Sequence, residues 1–285
     1  MPYEHEPGRP IGVFDSGVGG LTVLKALRQR LPHQDFLYLG DTARVPYGRK
    51  PPEMVRKFAR EVVEFLLKQG VQAVVIACNT ASASALPGLA EQTPAPVWGV
   101  IEPGVEAACR MTHTGKVGVI GTKGTIASGA YQTRLETRGL KVWARACPMF
   151  VHLVEEGLAD SPEADLMAHH YLGQHPDIDT LILGCTHYPV LQEVIQRAMG
   201  DSVTLVSSAE VTAEMVKTAL GGSTPAPGGG GRITHYVTGD VLAYKHTAEV
   251  IGGVEGELIP LDVTTLAREA AAVEPQPEEA PYRIV

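Results

Sequence analysis

No apolar run in the 285-residue chain approaches the roughly 20 residues a helix needs to cross a bilayer, so a membrane-spanning role is not expected. The first residues, MPYEHEPGRP, have no apolar h-region, and no secretory signal is expected either. Cysteine is scarce. Cys78, Cys109, Cys147 and Cys185 are all distant from one another, which excludes zinc-ribbon and CxxC redox spacings and points to a reduced, cytoplasmic setting. Positive charge is in deficit: 24 Lys and Arg against 32 Asp and Glu give a net charge of −8, so no nucleic-acid partner is expected. No H-E-x-x-H pattern occurs, and His169 and His170 read as structural or surface groups on a helix, so no metal site is expected. "DSGVGG" lacks the full G-x-G-x-x-G spacing and "GTKGT" lacks the G-K-[ST] ending, which argues against a nucleotide site.

What remains is a strand–helix alternation. "IGVF", "DFLYLGD", "AVVIAC" and "PVWGVI" read as buried strands. "LTVLKALRQRL" and "PPEMVRKFAREVVEFLLKQG" read as amphipathic helices, and "PGVEAACRMT" as another. This order predicts an α/β fold with largely parallel sheets. Ligands then bind beyond the carboxyl ends of strands, where Asp15, Asp41, Cys78 and Cys185 all fall. "IGVFDSGVGGLTVLKAL" at Ile11 is echoed by "VGVIGTKGTIASGAYQTRL" at Val117, 106 positions on. The two cysteine-ended strands repeat at 107. Two pairs at nearly one offset predict two similar α/β halves. If the halves face each other, Cys78 and Cys185 approach one ligand from opposite sides. "GGSTPAPGGGG" reads as a flexible break, and the acidic, proline-rich tail "EPQPEEAPYRIV" as disordered.

Two opposed thiols suit a particular chemistry. A free cysteine has a pKa near 8.5, so modest tuning poises it as base or acid near neutrality. One thiolate takes a proton from one face of a carbon while the other thiol protonates the opposite face, inverting configuration. The neighbours fit: Ser16 and the glycines of "DSGVGG" offer groups for an anion, Asn79, Thr80 and Thr186 offer amide and hydroxyl groups, and Asp15 and His187 can relay protons. Cys109 and Cys147 read as core fillers.

"GVFDSGVGGLTVL", "YLGDTARVPYG", "VVIACNTASA" and "LILGCTHYPVL" together resemble the glutamate racemases, from about Ile11 to Ala219. The resemblance implies cofactor-independent interconversion of L- and D-glutamate, supplying D-glutamate for peptidoglycan. It implies Cys78 as the base towards D-glutamate, assisted by Asp15, and Cys185 as the base towards L-glutamate, assisted by His187. Asp15, Ser16, Tyr47, Gly48, Asn79, Thr80, Thr186 and His187 would line the substrate, with Thr122 and Thr125 as additions. Glu155, in "FVHLVEEG", would stand near the second thiol, with His152 where the family usually has proline. The implied fold is two similar three-layer α/β domains related by pseudo-twofold symmetry, the active site in the cleft between them. One domain would comprise residues 1–98 plus 210–285 and the other 99–209. A homodimer is also implied. An aspartate racemase and a non-catalytic amino-acid-binding protein are the competing readings.

Overall fold

The computed structural model describes residues 8–221, 231–253 and 255–271. The glycine break and the acidic tail therefore lie almost wholly outside the described residues. The chain folds around two sheets. The first contains β1 (Ile11–Asp15), β2 (Phe36–Gly40), β3 (Ala73–Ile76), β4 (Val97–Gly99), β9 (Ile233–Val237) and β10 (Glu257–Pro260), in the order β10-β9-β2-β1-β3-β4. The second contains β5 (Lys116–Gly121), β6 (Lys141–Ala146), β7 (Thr180–Gly184) and β8 (Thr204–Ser207), in the order β6-β5-β7-β8. Every pairing is parallel. The block β2-β1-β3-β4 has the same topology as β6-β5-β7-β8, so the repeat read from the sequence is a repeat of structure.

The reason for the parallel sheets is visible strand by strand. β1 (IGVFD), β3 (AVVI) and β7 (TLILG) are buried at every position, as strands covered by helices on both faces must be. The covering helices are amphipathic. In α2 (Pro52–Lys68), Val55, Ala59, Val62, Val63 and Leu66 recur at helical spacing and are buried. Pro52 sits in its first turn, where a missing N–H costs nothing, and Gly70 follows its end with a φ of 78°. α1 (Leu21–Arg30) packs against α10 (Ser208–Ala219), which joins the two sheet systems. One apolar cluster runs through both, from Ile11, Leu24 and Val75 to Ile120, Leu181 and Leu183.

Several boundaries differ from the sequence expectation: β3 stops at Ile76 within "AVVIAC", and β2 at Gly40 within "DFLYLGD". "PVWGVI" stops as a strand at Gly99, and α4 (Ile101–Met111) already begins at Ile101. Pro103 lies in the first turn of α4, where its fixed φ favours helix. Among the described residues, no helix is long and apolar enough to cross a membrane.

Candidate active site

The chain's reactive groups converge where the carboxyl ends of the two sheets meet. Ser16 follows β1, and Cys78 follows β3 as the N-cap of α3 (Asn79–Gln92). Thr122 follows β5 as the N-cap of α5 (Lys123–Ala127), and Cys185, Thr186 and His187 follow β7. Together these residues line one cleft of about 180 Å³, room for a small molecule rather than a single water. Cys78 and Cys185 are 6 % and 5 % exposed and end topologically equivalent strands.

Each thiol has its own partners. The Cys78 thiol donates to Ser16 Oγ at 3.4 Å. Burial, and then the nearby Asp15 carboxylate, push its pKa up to about 12. Asp15 lies behind the wall, 1 % exposed, with Oδ2 accepting from the Gly17 N–H at 2.8 Å and Oδ1 buried without a partner. Burial raises its pKa, against the pull of His187 and of the Gly17 and Gly20 amides. Cys185 Sγ stands 3.8 Å from His187 Nδ1, and His187 Nε2 stands 3.0 Å from Glu155 Oε1. Burial alone would lower the His187 pKa, but the hydrogen bonds to Cys185 and Glu155 outweigh it and lift it to about 10. Glu155 is lowered in turn: burial opposes its charge, and His187 and His152 favour it. Glu155 ends α7 (Met149–Glu155), so His152 at the proline position leaves it in reach of His187.

The remaining wall is amide and hydroxyl. Asn79 Oδ1 accepts from Tyr131 Oη at 2.7 Å, which leaves Asn79 Nδ2 buried without a partner beside the cleft. Thr80 and Thr122, from opposite halves, are linked at 2.9 Å, and Thr125 joins both at 3.2 and 3.0 Å. Thr125 is fully buried and braces the other two rather than lining the cleft. Gly48 presses against Thr122; a Cβ at 48 would come within 2.8 Å of it. Tyr47 lines the wall with its hydroxyl tied to Asp41.

Asp41 corrects the expectation that every polar strand end serves chemistry. It is fully buried away from the cleft and bound to Arg44, Tyr47 and Thr238, a brace for the loop that carries Tyr47 and Gly48. The glycines of "DSGVGG" also serve a different end. A Cβ at Gly19 would lie 2.4 Å from both His187 Nδ1 and Thr186 Oγ1, and one at Gly20 would lie 2.4 Å from Asp15 Cβ. Gly19 is small so that the two halves can meet, and Gly20 so that Asp15 and Tyr38 of its own half can close over it. Cys147 is fully buried with its thiol directed at the Arg145 carbonyl, 3.8 Å away, and Cys109 is half-buried, neither on the cleft wall. His169 and His170 lie exposed on α8 (Pro162–Leu172). Among the described residues no three His, Cys, Asp or Glu side chains cluster as metal ligands.

Sequence reasoning did not single out the apolar wall of Val45, Pro46, Pro148 and Val151, the cations Arg49 and Lys123, or the orienting Tyr131. None carries a local signal; what they face is decided by the meeting of the two halves.

Residues 18–216 match the family described as Asp/Glu/hydantoin racemase. A glutamate racemase of Thermus thermophilus is 56 % identical over 249 residues, 87 % of this chain and 94 % of that protein. The crystal structure of the Thermus thermophilus glutamate racemase with β-chloro-D-alanine superposes with a TM-score of 0.85 at 53 % identity, over 91 % of this chain and 99 % of that one. The Francisella tularensis glutamate racemase in complex with D-glutamate gives a TM-score of 0.82 at 35 % identity, over 90 % and 98 %.

Proposed function

The chain belongs to the Asp/Glu/hydantoin racemase family, and from that membership we propose how its cleft carries out the reaction. The protein is an amino-acid racemase that interconverts L- and D-glutamate, the D-enantiomer serving peptidoglycan synthesis. The observation that carries the residue assignment is the pair of thiols, Cys78 and Cys185, at equivalent strand ends on one cleft.

The Cys78 thiolate takes the Cα proton of D-glutamate. The carbanion is held with its charge spread into the α-carboxylate, and the Cys185 thiol delivers a proton to the other face. L-Glutamate leaves, with Cys78 now a thiol and Cys185 a thiolate. The reverse reaction starts from that form. No electron changes hands, so acid–base groups suffice. The His187 imidazolium, held by Glu155, stands beside the Cys185 sulfur, where it can exchange a proton with it. On the Cys78 side, Ser16 Oγ accepts from the thiol, and the Asp15 carboxylate favours the protonated form, the one that returns a proton to Cα. Asn79 Nδ2, Thr80, Thr122 and Thr186 hold the substrate's carboxylates and ammonium, while Tyr47 and Gly48 shape the mouth and Thr125 supports the hydroxyl cluster. Loss of optical rotation from L-glutamate on addition of the purified protein, without pyridoxal phosphate or metal, tests this reading; unchanged rotation with bound glutamate sinks it.

Two finer tests follow. Tyr131→Phe frees Asn79 to turn its amide over, so kcat/KM should fall about tenfold with little change in melting temperature, as expected for lost orientation of a binding group. Unchanged kinetics would remove Tyr131 from the site. In Glu155→Gln, His187 loses one of the groups that raise it, and the imidazolium must give up its proton at a pH below the present value of about 10. The alkaline limb of kcat/KM should therefore move down by about one pH unit or more. An unmoved limb would show that Glu155 does not act through His187.

The division into domains at 1–98 plus 210–285 and at 99–209 belongs to this reading; the two separate sheets support it, with Gly99 at the end of β4 falling on the first side. Homodimer assembly and a cytoplasmic location belong to the same reading, and light scattering of the purified protein tests the first.

A further inference from the structure

Two cations at the cleft have no part in the proton transfers. Arg49 closes the short 3₁₀ turn Tyr47–Arg49 on one half, and Lys123 opens α5 on the other. Both are exposed and both line the cleft. They flank one seam: the residue before Arg49 is Gly48, and those on either side of Lys123 are Thr122 and Gly124, both packed against Gly48. Neither Arg49 nor Lys123 forms an ion pair among the described residues. Some other arginines are ion-paired: Arg44 with Asp41 and Glu61, Arg134 and Arg138 with the one carboxylate of Glu102, Arg197 with Asp165. Among the described residues Glu155 is the one carboxylate on the cleft wall; it is already hydrogen-bonded to His187, and the exposed His152 stands beside it. The mouth is therefore locally positive on a chain whose net charge is −8.

We propose that Arg49 and Lys123 form an electrostatic collar that gathers the dicarboxylate substrate and sets its binding, without touching the chemistry. This rests on the glutamate reading above. At neutral pH glutamate is an anion, and the far field of an acidic protein repels it. A small positive region at the mouth reverses that field where it counts. Two like charges across a seam also oppose each other, and a dicarboxylate between them relieves the repulsion. Because both side chains are solvated, the effect must fade as salt shortens the Debye length.

The test uses the full-length protein, with steady-state kinetics in both directions and calorimetric binding of D-glutamate in parallel. At about 10 mM ionic strength, Arg49→Gln and Lys123→Gln should each raise KM and Kd about threefold, and the double variant about tenfold, as solvated unit charges at short range allow. The expected kcat stays within about twofold of the parent. At about 0.5 M KCl the variants and the parent should converge. Lys57→Gln, exposed on α2 and not on the cleft wall, makes the same change in net charge and should leave KM unchanged. Unchanged KM and Kd in the double variant, an equal rise in Lys57→Gln, or a fall in kcat at constant KM would each overturn the collar. If the parent itself fails to racemise glutamate, the functional reading fails, and the calorimetric Kd series still decides whether the collar gathers a dicarboxylate.

Discussion

Cys78→Ala and Cys185→Ala each abolish inversion, with an expected loss of about 10³-fold or more, because one face of Cα then has no acid or base. Both side chains end in the cleft and both variants keep Cβ, so the fold should survive. The informative readout is isotope exchange in D₂O. The remaining thiol can still remove a proton and return a deuteron to the same face. Cys78→Ala should then exchange the Cα hydrogen of L-glutamate without racemising it, and Cys185→Ala should do so with D-glutamate. NMR loss of the Cα–H signal, set against circular dichroism, separates exchange from inversion. Full inversion by either single variant would end the two-base account. Kinetic constants alone cannot assign the thiols: the enantiomers have equal free energy, so kcat/KM must change equally in both directions in any variant.

Gly19→Ala should be nearly as severe. The new Cβ would stand 2.4 Å from the buried His187 and Thr186, on the opposite half of the cleft. Something must shift. A displacement on the order of 1 Å at a reacting centre costs about 10²-fold in rate, and overpacking costs about 1–3 kcal/mol of stability. We expect a kcat fall of that size with a melting temperature lower by a few degrees. Gly88→Ala serves as the control: it lies within α3 with nothing within 4 Å of its Cβ position, so activity should be retained and the helix slightly stabilised. Parent-like activity and melting in Gly19→Ala would mean that the halves do not meet as closely as described.

These two cases mark what could be read directly from the residues. The thiols were legible because each ends a run buried at every position, and a reactive group there sits at the mouth of a parallel sheet. The repeat was legible because two strand patterns recur at one offset. Gly19 was visible as part of a glycine-rich turn, but its reason was not: the side chains it admits lie more than 160 residues away. Asp41 had the right position and a different duty, since a strand end does not reveal which side chains close over it. β6 (KVWARA) and β8 (TLVS) carry little signal, because half-exposed edge strands mix polar and apolar residues without a fully buried run. Tyr131, Arg49 and Lys123 gain their surroundings from tertiary contact alone.

The strand order has a consequence for biosynthesis. β2 is flanked by β1, made before it, and by β9, which pairs from Phe36↔Ile233 onwards and is synthesised about 200 residues later. At about 5–20 residues per second, the ribosome leaves one edge of FLYLG unpaired for roughly 10–40 s. Such an edge is an open template for a neighbouring nascent chain, so yield at high expression should depend on how fast the last strands arrive to cover it.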